Sequence, residues 1–261
     1  MKACGVITLL SDFGLQDSYV AEMKGVLLKL NPKAKLVDIS HLIPAGDIRV
    51  AALRLWRSYR HFPEGSVHLA VVDPDVGTSR KLLLAVSDSH FFLAPDNGLL
   101  SPVLQETRAR CYALNPPKGK KTSPTFHGRD FLAPAASTLS LGKAPQQLGH
   151  PFTPTTTFSL FATEKGGRVE GKIIDVDRFG NLITNIRGSL LTQKKKFEVR
   201  CRSWRFASLE ETYGNAKRAK PVALIGSSGL LEIAVTQGNA QQALQGSVGQ
   251  KVLVQVESNK S

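Results

Sequence analysis

The sequence is poor in the residues that announce disulfide scaffolds, metal centres and membrane spans. Its 261 residues include only three cysteines. Cys4, Cys111 and Cys201 are odd in number and far apart, which fits neither a disulfide framework nor any metal-ligand spacing; they read as small buried hydrophobes. No apolar run approaches the roughly 18 residues that cross a bilayer. The apolar stretch at residues 1–10 is short and passes straight into Ser11 and Asp12 without a cleavage-like site. The expectation is a cytoplasmic protein with no membrane partner. Aromatic residues make up 7%, and none alternate with basic residues in a stripe that would stack single-stranded bases. Acidic residues are also outnumbered, 21 Asp and Glu against 34 Lys and Arg, for a formal charge of +13. The small basic clusters at residues 118–121, 194–196 and 217–220 sit in turn-like surroundings. They read as solvated surface rather than a specific nucleic-acid site.

What is present is ordinary globular material. Hydrophobic residues account for 42%, and the length suits one large domain or two smaller ones with a real core. Residues 5–10, 35–39, 67–72, 82–86 and 90–93 are short runs rich in Val, Ile, Leu and Phe. Between the first two, Val20, Met23, Leu27 and Leu30 recur at spacings of three and four, and Asn31-Pro32 stops that helix. Ile48, Ala52, Leu55 and Tyr59 repeat the pattern, and a third helix is expected over residues 134–141, ending at Gly142. Apolar strands alternating with amphipathic helices predict an α/β domain over residues 1–150 with a largely parallel sheet covered on both faces. The stretch 151–165, rich in Pro and Thr, reads as a linker. Residues 166–261 then carry mostly short strands separated by turns such as Phe179-Gly180-Asn181, which predicts a smaller, barrel-like all-β domain.

Three strands of the first domain end alike. They run into Ser11-Asp12-Phe13-Gly14, Asp73-Pro74-Asp75-Val76-Gly77 and Pro95-Asp96-Asn97-Gly98. Open α/β sheets bind ligands outside the carboxyl ends of their strands, so three acidic loops there predict one crevice. Asp96-Asn97-Gly98 reads equally as turn chemistry. Asp73 stands apart, because a carboxylate directly after an apolar run is costly to leave unsatisfied. A second cluster, Phe126-His127-Gly128-Arg129-Asp130, precedes a Pro- and Ala-rich helix start, a setting that receives anions and polar groups. Asp130 itself reads as a helix cap. His41, His61, His68, His90 and His150 lack a comparable setting.

These motifs together resemble the family of S-adenosyl-L-methionine hydroxide adenosyltransferases, relatives of the fluorinase and chlorinase enzymes. The resemblance runs nearly end to end. It rests on Leu10 to Gly14, Met23-Lys24-Gly25, Val71 to Pro74, Gly77-Thr78-Ser79-Arg80, Ala94 to Leu100 and Phe126 to Asp130. It continues through Asp177-Arg178-Phe179-Gly180-Asn181, Thr184-Asn185-Ile186 and Leu231 to Ala234. It implies an α/β domain followed by a β-barrel-like domain, and a homotrimer with active sites between neighbouring subunits. It also implies that Asp73, Arg80 and His127 handle an attacking water. Asp12 would meet the ribose hydroxyls, with Phe126, Asp177, Phe179, Asn181 and Ser227 on the rest of the substrate. No metal or cofactor is implied, since S-adenosyl-L-methionine is itself the substrate.

The chemistry suits such a trio. The substrate is a sulfonium cation whose leaving group departs as a neutral thioether, so no acid is needed on that side. The difficulty is holding an oxygen nucleophile in line behind the 5′-carbon, where a near-attack geometry removes several kcal/mol of barrier. A base, His127 or Asp73, must take the proton, and Arg80 suits a fork-like pairing with the carboxylate. Halogenating relatives lack the Asp-Arg-His set and replace the His-Gly pair; here His127-Gly128 is intact. Two departures stand out: Asp75 replaces a usual Gly and adds a charge near Asp73, while Ser228 stands where some relatives carry a charge. The alternatives are a sensor of the same ligand that performs no turnover and a halogenase forming a 5′-halo-adenosine.

Overall fold

The computed structural model describes residues 1–117, 122–191, 197–214 and 219–256. The basic clusters at 118–121 and 194–196, and the first two residues of 217–220, lie outside the described residues. The chain divides into two compact units, Met1–Ser159 and Leu160–Ser261.

The first unit opens with strand β1 (Val6–Ser11), helix α1 (Tyr19–Leu30), strand β2 (Lys35–Ser40), helix α2 (Ile48–Ser58) and strand β3 (Val67–Val71). Strands β4 (Leu82–Val86) and β5 (Phe91–Pro95) follow, then helix α3 (Ser101–Glu106), strand β6 (Arg110–Leu114), helix α4 (Ala133–Ser140) and strand β7 (Gly149–Pro151). The periodicity behind α1 holds for Val20, Met23 and Leu27, which are buried, but Leu30 in the last turn is exposed; Asn31 closes the helix by donating its backbone N–H to the Leu27 carbonyl. Asp47 caps α2, its side chain accepting from Val50 N at 3.0 Å, a contact that typically stabilises a helix by about 1 kcal/mol.

The seven strands form one mixed sheet in the order β2-β1-β3-β5-β4-β6-β7. The pairings β1–β2, β1–β3 and β3–β5 are parallel, whereas β4–β5, β4–β6 and β6–β7 are antiparallel. Helices α1 and α2 separate the first three parallel strands, whereas the parallel pair β3–β5 is connected through β4, and α4 lies between the antiparallel strands β6 and β7. Every residue of β3, β4 and β5 is buried, as expected of strands covered on both faces. From β1 the chain crosses one way to β2 and then back to β3 on the other side. The carboxyl ends of β1 and β3 therefore flank a topological switch point, the usual crevice of an open α/β sheet.

Of the expected linker, Thr155 to Phe158 pack within this unit, while Glu164 and Lys165 form a strand of the second unit. Asp96, 5% exposed, accepts from the backbone N–H and the hydroxyl of Thr155 at 3.1 and 2.6 Å. Phe158 lies under the Arg49 guanidinium at 4.4 Å. The cysteines depart from a uniform buried reading: Cys201 is buried, Cys111 is half-buried and Cys4 is exposed.

The second unit carries strands β8 (Glu164–Lys165), β9 (Arg168–Val176), β10 (Leu182–Arg187), β11 (Phe197–Cys201), β12 (Trp204–Phe206), β13 (Pro221–Ile225) and β14 (Leu230–Val235). One turn of helix α5 (Ala240–Ala243) and strand β15 (Lys251–Val256) complete it. Its described strands all pair antiparallel, in the order β12-β11-β15-β9-β10-β14-β13, with β8 on β9; a single parallel bridge joins Glu210 to Leu224. This is the barrel-like all-β unit the short strands predict. Its core gathers Val169, Ile173, Leu182, Ile186, Leu231 and Ile233.

Candidate functional site

A cavity of about 570 Å³ opens where the switch point lies. Asp12 and Phe13 line it from the end of β1, Val71, Asp73 and Val76 from the end of β3, and Tyr19 and Glu22 from α1. Ser123, Thr125, Phe126, His127, Gly128 and Arg129 close it from the segment leading into α4. That segment is wound unusually. Gly128–Leu132 forms a π-helical turn running directly into α4, a feature often found at functional sites. At Gly128 a Cβ would crowd Val71 Cγ1 at 3.1 Å and Met23 Sδ at 3.4 Å, so glycine lets the turn pack closely against β3 and α1.

Asp73, Arg80 and His127 are in contact. The Arg80 fork holds the Asp73 carboxylate on both sides, Nε to Oδ1 at 2.5 Å and Nη2 to Oδ2. Its Nη1 and Nη2 also lie 3.3 and 3.2 Å from His127 Nδ1. The Asp73 and Arg80 side chains are only 7% and 8% exposed. Asp73 and His127 line the cavity, while Arg80 stands behind them. Gly77, at φ 87°, turns the chain between Asp73 and Arg80 so that the two can meet. Asp75 in that turn is exposed and not among the cavity-lining residues; its carbonyl accepts from Thr78 N and Oγ1.

A guanidinium only donates, so His127 Nδ1 must accept, and the neutral ring then carries its proton on Nε2. Burial and the adjacent Arg80 charge push the His127 pKa below its ordinary value, against the opposing pull of Asp73 and Asp130. The imidazole is therefore neutral at pH 7. Phe131 packs on the ring, centroids 4.9 Å apart.

Asp130 does not cap a helix, because α4 begins at Ala133 and Asp130 sits inside the π turn. Its carboxylate instead accepts from Ser123 N at 2.7 Å and from the Arg129 fork at 2.7 and 3.0 Å. Arg129 reaches on to Glu22 at 2.8 Å and covers the Phe126 ring at 4.9 Å. Hydrogen bonds from Ser18 and Arg129 lower the Glu22 pKa, so the wall from α1 is anionic. Sequence reasoning missed Glu22 and Tyr19. Their signal was the solvent face of α1, opposite the periodic Val20, Met23 and Leu27. Phe13, Tyr19 and Phe126 meet in tilted and edge-to-face contacts with centroids 5.4–5.8 Å apart.

Asp96, the third strand-end carboxylate, does not line the cavity. Asn97 donates to the Val72 carbonyl and accepts from Leu99 N, so this loop is structural. In the second unit, Asp177 and Asn181 build one turn. Asp177 accepts from the backbone N–H of Phe179 and Asn181 and from Asn181 Nδ2, each at 2.9 Å. The turn presents Phe179, which is 74% exposed. Ser227 is exposed, and the hydroxyl of half-buried Ser228 has no partner among the described residues. Among the described residues no three His, Cys, Asp or Glu side chains converge as a metal ion would require.

The chain matches two family models in sequence order, the SAM hydroxide adenosyltransferase N-terminal domain over residues 7–149 and the C-terminal domain over residues 171–253. The (R)-S-adenosyl-L-methionine hydrolase of Thermus thermophilus is 38% identical over 253 residues, covering 91% of this chain and 94% of that protein. The fluorinase of Actinoplanes sp. is 28% identical over 212 residues, 69% of this chain and 71% of that enzyme. Among solved structures, an uncharacterized conserved protein from Thermotoga maritima superposes with a TM-score of 0.88 at 32% identity, covering 95% of this chain and 99% of that one.

Proposed function

Because the chain belongs to the SAM hydroxide adenosyltransferase family, we propose that it hydrolyses S-adenosyl-L-methionine to adenosine and L-methionine. A water molecule attacks the ribose 5′-carbon in line with the departing sulfur. The observation that carries this reading is the contiguous Asp73–Arg80–His127 set, two of whose members line the switch-point cavity. The relatives' names specify the R configuration at sulfur, and that epimer is the proposed substrate.

The hydrogen bonds among these residues support the following division of work. Neutral His127 offers Nε2–H, which holds the nucleophilic oxygen as a donor. Asp73 retains lone pairs beyond those Arg80 engages and takes the proton as the C–O bond forms. At that moment the attacking oxygen has become a strong acid, so a weak base suffices. The carbon–sulfur bond breaks with its electron pair remaining on sulfur, and one proton is released per turnover. Arg80 fixes the carboxylate and keeps His127 neutral. Asp12 and Glu22 give the cavity the negative charge a sulfonium cation needs, despite the basic chain as a whole. Asp12 and Phe126 meet the ribose side, with Asp177, Phe179, Asn181 and Ser227 on the remainder of the substrate. The step uses no metal or cofactor.

A homotrimer with active sites at subunit interfaces is part of this proposal. Its support is the family resemblance together with exposed apolar side chains such as Leu15 and Leu42. Light scattering on the purified protein tests it. Free thiols at all three cysteines suit a reducing, cytoplasmic setting.

The functional test is product analysis by mass spectrometry. The protein is incubated with each sulfonium epimer in heavy-oxygen-labelled water, with and without chloride or fluoride. Adenosine labelled at its 5′-oxygen is expected from the R epimer. A 5′-halo-adenosine would transfer the site to halogenation, and tight binding without any product would make the protein a sensor.

A further inference from the structure

Behind the cavity lies a second polar chain that the proposed hydrolysis does not use. Ser11, the last residue of β1, is 1% exposed, and its hydroxyl lies 2.7 Å from Nδ1 of His41, itself 4% exposed. On the other side of that ring, Nε2 stands 3.2 Å from Asp38 Oδ1, off the line of a good hydrogen bond. Lys24 on α1 donates to Asp38 Oδ2 at 2.6 Å. The sequence Ser–His–Asp resembles a hydrolytic triad, but Ser11 does not line the cavity and the ring is reversed. The serine faces Nδ1 and the carboxylate faces Nε2, opposite to the arrangement that delivers a nucleophile.

The His41 tautomer sets donor and acceptor roles along the chain. In the tautomer that points Nε2–H towards Asp38, Nδ1 accepts from the Ser11 hydroxyl. The Ser11 oxygen then receives the Phe13 backbone N–H at 3.4 Å. The His41 carbonyl receives the Gly14 N–H at 2.8 Å. Both ends of the turn Asp12-Phe13-Gly14 are thus tied to the His41–Ser11 pair. Between them Asp12 Oδ2 accepts from Gly46 N at 2.8 Å, in the loop that follows His41. Among the described residues Asp12 Oδ1 has no hydrogen-bond partner, and Asp12 lines the cavity.

We infer that Lys24, Asp38, His41 and Ser11 form a positioning relay, buried at Ser11 and His41 and open to solvent at Lys24 and Asp38, that aims the free oxygen of Asp12 into the cavity and so sets selectivity for a substrate bearing vicinal ribose hydroxyls. This rests on the proposed hydrolysis and adds positioning residues to it. None of the four touches the reacting atoms.

The test compares wild type, Ser11→Ala and Ser11→Thr on S-adenosyl-L-methionine and on its 2′,3′-dideoxy analogue. With the hydroxylated substrate, Ser11→Ala raises KM about tenfold and leaves kcat within about twofold, the scale of one misaligned hydrogen bond. Ser11→Thr restores KM. With the dideoxy analogue, wild type and Ser11→Ala share the same KM. An equal rise in KM on both substrates would overturn the relay and reduce Ser11 to a packing residue. If Ser11→Ala fails to fold, Lys24→Met at the partly exposed outer end decides in the same way, with a KM increase of about threefold confined to the hydroxylated substrate. A wild-type protein that forms no adenosine from either epimer would overturn the functional reading, and this inference with it.

Discussion

The loops after β3 and β5 begin from nearly the same sequence grammar and end in different chemistry. Both follow fully buried strands, and both place an aspartate at the carboxyl edge of the sheet. Asp73 meets a guanidinium from seven residues along the chain and lines a cavity. Asp96 meets the Thr155 hydroxyl and the backbone of Thr155 and Thr156 from some sixty residues away and is sealed in. A strand-end carboxylate is therefore a candidate only. What covers it decides whether it binds a ligand or holds the chain together.

The sharpest division between the two loops is in turnover. His127→Ala removes the donor beside Asp73 and should lower kcat by about 10²–10⁴-fold with little change in substrate affinity. Asp96→Ala should leave kcat and KM of the folded protein unchanged. A comparable loss of kcat from both variants would erase the distinction.

Stability should divide them the other way. Asp96→Ala leaves two backbone N–H groups and a hydroxyl without their acceptor, a cost of about 1–3 kcal/mol, measurable as a lowered midpoint in urea. The segment at residues 151–159 should become protease-sensitive at the same time.

Two depressed histidines extend the comparison to pH. In the proposed mechanism His127 acts as a neutral ring, and its pKa lies below the ordinary 6.5, so kcat/KM should hold as pH falls through 6.5 and decline only lower. An acid limb centred above 6.5 would contradict the Arg80 contact. His68 is fully buried between Thr8, at 2.8 Å, and His90, and burial lowers its pKa to about 3. Unfolded, it takes up a proton near 6.5 that the folded protein refuses. The stability conferred by its neutral form is complete above pH 6.5 and is lost as pH falls from there towards about 3, by up to about 1.4 kcal/mol per unit. Denaturant titrations of wild type and His68→Gln at successive pH values should converge towards acid; parallel curves would refute the linkage.

Much of the fold was legible because it was written in periodicity. The α1 stripe, the uniformly apolar strands and the short strands after residue 166 all correspond to elements of the structure. The antiparallel half of the first sheet was not legible, since β4 and β5 are as uniformly buried as the parallel strand β3 whichever way they run, and β6, exposed at Arg110, offers no continuous apolar run. The Thr-rich stretch read as a linker because its partner, Asp96, is remote in sequence. The site was legible where motif and chemistry coincided, at Asp73, Arg80 and His127. It was hidden where partners come from other elements. Asp130 had the spacing of a cap yet anchors Ser123 and Arg129. His41 had no local signal at all, because its significance comes from Ser11 across the β1–β2 edge.

The most direct test of the account is Asp73→Asn, with binding and turnover measured on the same preparation. Calorimetry with S-adenosyl-L-methionine should give an affinity within about threefold of wild type, while adenosine formation falls by about 10²-fold or more. Retained turnover in this variant would contradict the central claim that Asp73 receives the proton of the attacking water.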